Sequence, residues 1–419
     1  MQPELKYHPK LFWLIFLFLG INLLSASMFI VLIPPLRYAR QPSILLGFLF
    51  LYQYFAPATD QTKGLSRFRN FFWFFAFYLC FNIITSLDVV NSLTYAAWLV
   101  AMFIFLWTLF INRNQLSFRN TLYNFAFAGG VLGGIILIVS YIGGYVLNIN
   151  YFFDERYNYT LGMMKTEFSG IFGSNNTLGV VSFLTFSFLL MLSVLVKKGK
   201  QSNLFLAGAL FITFLIFSIG NRSSMACCFS LWLLYFVYVR ASVLGLVLMS
   251  MVMFGGSIAF RDQIFEKLRL EQFEGGNVLG NRSELVGEAL EITENMNFFG
   301  VGYHNQRLSR KYYRLVAEND KEYNFHNTYL AVVTELGWLG LLWVPGIILY
   351  GILLFRTRNP DPLHKRPMRI LMATLLALSI FYLPVEDSVN SPGSAIFIAF
   401  WMMFLIMLVG KTEKAESLS

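Results

Sequence analysis

The chain has 419 residues, 57% of them hydrophobic and only 13% charged, with 45 Phe and a mean hydropathy of +0.59. That composition excludes an ordinary soluble globular domain and marks an integral membrane protein. The formal net charge of +9 is no argument for nucleic acid here, because basic residues in a membrane protein follow topology.

A helix needs about 20 apolar residues to cross roughly 30 Å of hydrocarbon. In chain order, apolar blocks fall at about 11–33, 42–57, 70–87, 93–111, 122–147, 178–196, 203–219, 224–239, 241–259, 326–355, 369–385 and 394–410. They predict an all-α, polytopic membrane protein of about twelve transmembrane helices, with one large extracytoplasmic loop containing short helices. The first block lacks a small-residue cleavage site and runs into "IPPLRYAR", so a retained helix is expected. Cys80, Cys227 and Cys228 all lie within apolar blocks, with no disulfide or metal-ligand spacing, and are read as packing residues. In "AGGVLGGIILIV", Gly129/Gly133 and Gly130/Gly134 recur at four-residue spacing, which predicts close helix packing.

With Lys6 and Lys10 inside, the alternating inner segments hold Lys63, Arg67, Arg69, Arg113, Arg119, Lys197, Lys198, Lys200, Arg240, Arg356, Arg358, Lys365, Arg366, Arg369, Lys411 and Lys414. The short outer turns 88–92 and 386–393 hold none, while Arg37 and Arg40 run against the trend. The bias predicts both termini in the cytoplasm. The organisation is then nine helices over 1–259 with an outer loop near 148–177, a large outer loop over 260–325, three helices over 326–410 and a tail over 411–419. The large loop carries Arg261, Lys267, Arg269, Arg282, Arg307, Arg310, Lys311, Arg314 and Lys321. Those cations suit an acidic or phosphorylated partner, and equally a loop lying against lipid headgroups.

The tetrapeptide GNRS occurs at 220–223 and at 280–283, and both copies fall on the expected outer face. Asn221 can cap a helix starting at Arg222, and Asn281 with Glu284 reads as a capping box. Each arginine then opens a helix, where free N–H groups, the dipole and a guanidinium all favour a phosphate. In "RSELVGEALEITENM", Leu285, Ala289, Ile292 and Met296 form an apolar stripe, Glu284, Glu288 and Glu291 point to the other side, and Arg282 lies beside the stripe. An arginine snorkelling to headgroups is the alternative reading.

Of four histidines, His8 and His364 are cytoplasmic in this topology, which leaves His304 in "GVGYHNQ" and His326 at the start of helix ten. An imidazole suits proton removal from an acceptor hydroxyl, and His326 sits on the more rigid element. A capping or packing role is the alternative. Glu335, nine residues on, falls about half a turn out of phase with His326 and is expected to face away from it.

The order "NRSELVGEALEI", "NFFGVGYHN", a polar spacer and "FHNTYLAVVTELGWLGLLW" resembles the signature region of the O-antigen ligase and polymerase family, bacterial enzymes that move glycans off a polyprenyl diphosphate. "EFSGIFGSNNTLGVV" at 167–181 resembles the family's Gly-rich lead-in to a core helix, and "IGNRSS" its earlier arginine. The family's aromatic residue after the second arginine is absent, Val286 and Gly287 standing there. The resemblance implies that Arg222 and Arg282 serve the diphosphate and His326 the acceptor hydroxyl. Asn176, Asn327, Arg307, Arg310, Lys311 and Glu335 are supporting candidates.

The expected chemistry is therefore metal-independent, inverting glycosyl transfer without a cofactor at the outer face of a bacterial inner membrane. The donor would be an undecaprenyl-diphosphate-linked glycan and the acceptor lipid A-core, with membrane lipids around the chain. A polymerase extending a lipid-linked glycan is the alternative within the family. A lipid or solute transporter or flippase is the rival from another class, which would show repeated halves and charges deep in several spans. Nothing in the sequence suggests a nucleotide or nucleic-acid partner, since no Walker-type loop is found.

Overall fold

The computed structural model describes residues 7–24, 27, 63–111, 118–158, 163–196, 199–240, 282–313, 325, 327–357, 362–384 and 395–410. Their order is α1 (Pro9–Leu24), α2 (Lys63–Ile84), α3 (Val89–Ile111), α4 (Phe118–Tyr141), β1 (Phe153–Asn158), β2 (Met163–Phe168), α5 (Asn175–Leu195), α6 (Lys200–Ile219), α7 (Arg222–Leu234), α8 (Arg282–Asn295), α9 (Gln306–Tyr312), α10 (Thr328–Leu336), α11 (Gly340–Thr357), α12 (Pro362–Ala377) and α13 (Ala395–Gly410). The protein is predominantly helical. Among the described residues, three spans are long and apolar enough to cross a membrane, Arg119–Val146, Asn175–Leu195 and Lys200–Ile219, and shorter apolar helices accompany them. The expected spans at 42–57 and 241–259 lie outside the described residues.

Two features depart from the sequence reading. First, the segment expected as a loop at 148–177 contains an antiparallel hairpin, Phe153 opposite Phe168 and Asn158 opposite Met163. The sequences FDERYN and MMKTEF lack clean alternation, so period-two patterning could not reveal it. Second, the tenth apolar block is two helices. The chain breaks at Gly337, whose φ of +68° is left-handed, before resuming at Gly340.

The chain divides into two compact units: Met1–Ser43, Leu116–Leu270 and Asp361–Tyr382 form the first, and Ile44–Gln115, Glu271–Pro360 and Leu383–Ser419 the second. In the first, α5 is apolar all round and almost wholly buried, as a helix with neighbours on every side must be. Its hydroxyls turn back on the helix: Ser182 Oγ donates to the Leu178 carbonyl at 2.7 Å and Thr185 Oγ1 to Val181 at 2.7 Å. Gly129 and Gly133 of α4 let that helix approach, since a Cβ on either would overlap Phe188 or Thr185 of α5. The close-packing expectation holds for that pair, whereas Gly130 would make only ordinary contact and Gly134 faces open space.

In the second unit, Trp343 of α11 stacks on Phe75 of α2 with ring centroids 3.8 Å apart. Phe103 of α3 and Trp401 of α13 close around the indole at 5.3 and 5.1 Å. This aromatic core, with Trp343 and Trp401 fully buried, fixes the helices that support α8, α9 and α10.

Candidate active site

Arg222 is placed by a turn that satisfies both helix ends meeting there. Gly220, at φ +73°, closes α6 by donating its N–H to the carbonyls of Ile216 and Phe217. Asn221 then caps α7 as expected, its Oδ1 accepting from Ser224 N at 2.9 Å. The remaining amide of Asn221 donates to Asn176 Oδ1 at 2.8 Å, and Asn175 Nδ2 donates to the Ile219 carbonyl at 2.9 Å. The Asn-Asn pair that opens α5 therefore locks the turn that presents Arg222. Gly179 makes room, because a Cβ there would lie 2.7 Å from Asn221 Cβ and from Ser224 Oγ. Arg222 itself is half-buried at the first position of α7, beside the donor-rich end of a helix.

α8 begins at Arg282, as read from the sequence, although the side chains of Arg282 and Glu284 and the expected cap Asn281 lie outside the described residues. Ala289 and Ile292 are fully buried and pack with Val301 and Phe325, and Met296 joins the cluster. The apolar stripe is thus the inward face, and Glu291 is exposed opposite it. Glu288 departs from that pattern: Arg310 of α9 grips it with both Nε and Nη2, the latter at 3.0 Å from Oε1. Arg310 is buried and committed to this carboxylate, which accounts for an arginine within a polar loop. Lys311 is half-buried in the same last turn, where a cation complements the helix dipole. Only the backbone of Arg307 is described. Burial against α8, and next the neighbouring Tyr312, push the Tyr313 phenol above its ordinary range.

His326 lies outside the described residues, but both its neighbours are held. Phe325 is buried in the α8 cluster and its N–H donates to Gln306 Oε1 at 3.1 Å. Asn327 caps α10, its Oδ1 accepting from Tyr329 N and Leu330 N, and Thr328 N donates to the Leu383 carbonyl at 2.8 Å. Asn327, a supporting candidate, is thus the N-cap of the helix that His326 precedes.

α10 ends with its carbonyls turned toward the loop 297–305. Val301 N donates to Thr334 O at 2.9 Å, Gly302 N to Glu335 O at 3.1 Å, Asn82 Nδ2 to Glu335 O at 2.8 Å, and the Tyr78 hydroxyl to Leu336 O. These donors do for a helix C-terminus what the next turn of helix would otherwise do. The carboxylate-bearing side chain of Glu335 is fully buried at this junction.

The sequence reading missed the residues that clamp this loop. Asn82 also accepts from Tyr303 N at 2.8 Å. Asn305, 1% exposed, donates to Ser86 Oγ at 2.7 Å and accepts from Asn91 Nδ2 at 2.7 Å. Their only sequence signal is polarity in otherwise apolar surroundings, at positions more than 200 residues apart. Among the described residues, no three His, Cys, Asp or Glu side chains gather in a way that could hold a metal ion.

Residues 186–344 match the family described as O-Antigen ligase. No curated protein matches the chain. The matched segment includes Arg222, Arg282, His304 and His326 and begins after the Gly-rich stretch 167–181, so the family resemblance read from the sequence is shown over the later part of the region that carried it.

Proposed function

We infer, from a chain whose residues 186–344 carry the O-antigen ligase family's segment, that this integral membrane protein is a glycosyltransferase of the ligase type. The donor is a glycan on undecaprenyl diphosphate, and the acceptor is a sugar hydroxyl of lipid A-core, at the outer face of a bacterial inner membrane. Both termini are cytoplasmic, and 260–325 forms the large outer loop.

Arg222 and Arg282, each opening a helix, bind the diphosphate through bidentate charge-assisted hydrogen bonds and stabilise the charge that grows as the phosphate–anomeric carbon bond breaks. His326 orients the acceptor hydroxyl and takes its proton as the oxygen attacks the anomeric carbon from the opposite face, which inverts it. The diphosphate departs as an anion and needs no acid. Neither a metal nor a cofactor enters this scheme. Arg307 and Lys311 add to the positive field that draws the donor, whereas Arg310, already bound to Glu288, contributes to the fold of the loop. Asn176 holds the turn that presents Arg222, and Asn327 caps the helix that follows His326 in the sequence.

The observation that carries this reading is the family match across all three residues. Membranes containing Arg222→Ala, Arg282→Ala or His326→Ala protein at wild-type abundance should each lose transfer from a defined lipid-linked donor by about 100-fold or more. Full activity in all three variants defeats the proposal. A polymerase in place of a ligase would show itself as a ladder of glycan lengths that disappears on deletion.

A further inference from the structure

His304 sits half-exposed between two residues that are locked in place, Tyr303 and Asn305. Its φ is +63°, a left-handed backbone that disfavours any side chain but costs glycine nothing. On one side Tyr303 is fully buried, its N–H bound by Asn82 Oδ1 and its carbonyl by Ser92 Oγ at 2.9 Å. On the other, Asn305 is anchored to the α2–α3 turn through Ser86, Ser92 and Asn91. The His304 carbonyl itself accepts from Asn91 Nδ2 at 3.0 Å. That arrangement lays the imidazole flat on the ring of Tyr95, with centroids 3.6 Å apart and planes 25° apart. Trp98, one turn along α3, adds a third ring 5.7 Å from Tyr95. All three residues are half-exposed, and all belong to the second unit.

We propose that Tyr95, Trp98 and His304 form a carbohydrate-binding platform that holds a sugar unit of the acceptor glycan. A pyranose offers a flat face of C–H groups edged by hydroxyls. The C–H face suits the negative face of an aromatic ring, and an imidazole nitrogen beside it can donate to or accept from a hydroxyl. A left-handed backbone retained at a half-exposed histidine, where glycine would sit without strain, accords with a ring kept for its chemistry. The platform acts as a positioning element and takes no proton in the reaction. Its place in catalysis rests on the glycan-transfer reading above, but its capacity to bind sugar does not.

The test uses the full-length protein in lipid nanodiscs and two soluble probes, maltotetraose and chitotetraose, followed by saturation-transfer NMR from the aromatic protons. Wild-type protein should transfer saturation to at least one probe, and Tyr95→Ala and His304→Gly should lose it. In a transfer assay both variants should raise the acceptor KM about 3- to 10-fold and leave kcat nearly unchanged. His304→Gly should unfold at the same temperature as wild type or higher, because glycine relieves the left-handed backbone. Absence of saturation transfer to both probes in wild type overturns the platform, as does an unchanged KM in both variants. A His304→Gly protein that loses transfer together with thermal stability shows a purely structural residue and also overturns it. Binding by wild type, with full transfer activity in Arg222→Ala, Arg282→Ala and His326→Ala alike, leaves the platform standing and defeats the catalytic scheme above instead.

Discussion

Arg310 and Arg222 carry the same guanidinium in different settings. Arg310 is buried and gripped by Glu288, so truncating it strands a partly buried carboxylate. Arg310→Met is expected to destabilise the protein by about 1–3 kcal/mol, and adding Glu288→Gln should recover part of that loss. A double-mutant cycle in denaturant-unfolding experiments checks this, a coupling near zero counting against it. Asn221 was legible as a cap because a cap is set by four consecutive residues. The Arg310–Glu288 pair was not, because each residue alone looks like a solvated charge and nothing local ties one helix to the other.

The start of each helix at Arg222 and Arg282 could be read from capping residues, and the inward face of α8 from the spacing of Ala289, Ile292 and Met296. The break between α10 and α11 was hidden because the apolar run continues through it, and the only signal was Gly337. What enforces the break lies in a distant loop: a Cβ at Gly300 would come within 2.6 Å of the Glu335 carbonyl, and its φ is +82°. Gly300→Ala is therefore expected to cost more than about 2 kcal/mol through strain and overpacking together. Thermal unfolding in detergent should show a clear drop for Gly300→Ala and little change for Gly287→Ala, which meets nothing within 4 Å. Equal midpoints for the two would refute the packing described at this junction.

At the scale of the molecule, composition fixed the membrane class, while long-range pairings such as Asn82 with Tyr303 and Asn305 with Ser86 had to come from the fold. Both arginines carry permanent positive charge, so the proposed chemistry draws its electrostatic stabilisation from the chain itself. Transfer by purified protein should continue at an unchanged rate in excess EDTA, and loss restored by added magnesium would contradict that scheme. Each compact unit is also stitched from three separate stretches of sequence, the first needing Asp361–Tyr382 and the second Leu383–Ser419. During synthesis, then, neither can finish folding when its early helices emerge. Both must wait for residues beyond 360, and the buried face of α13 makes that helix a late keystone of the unit that contains His304 and α10.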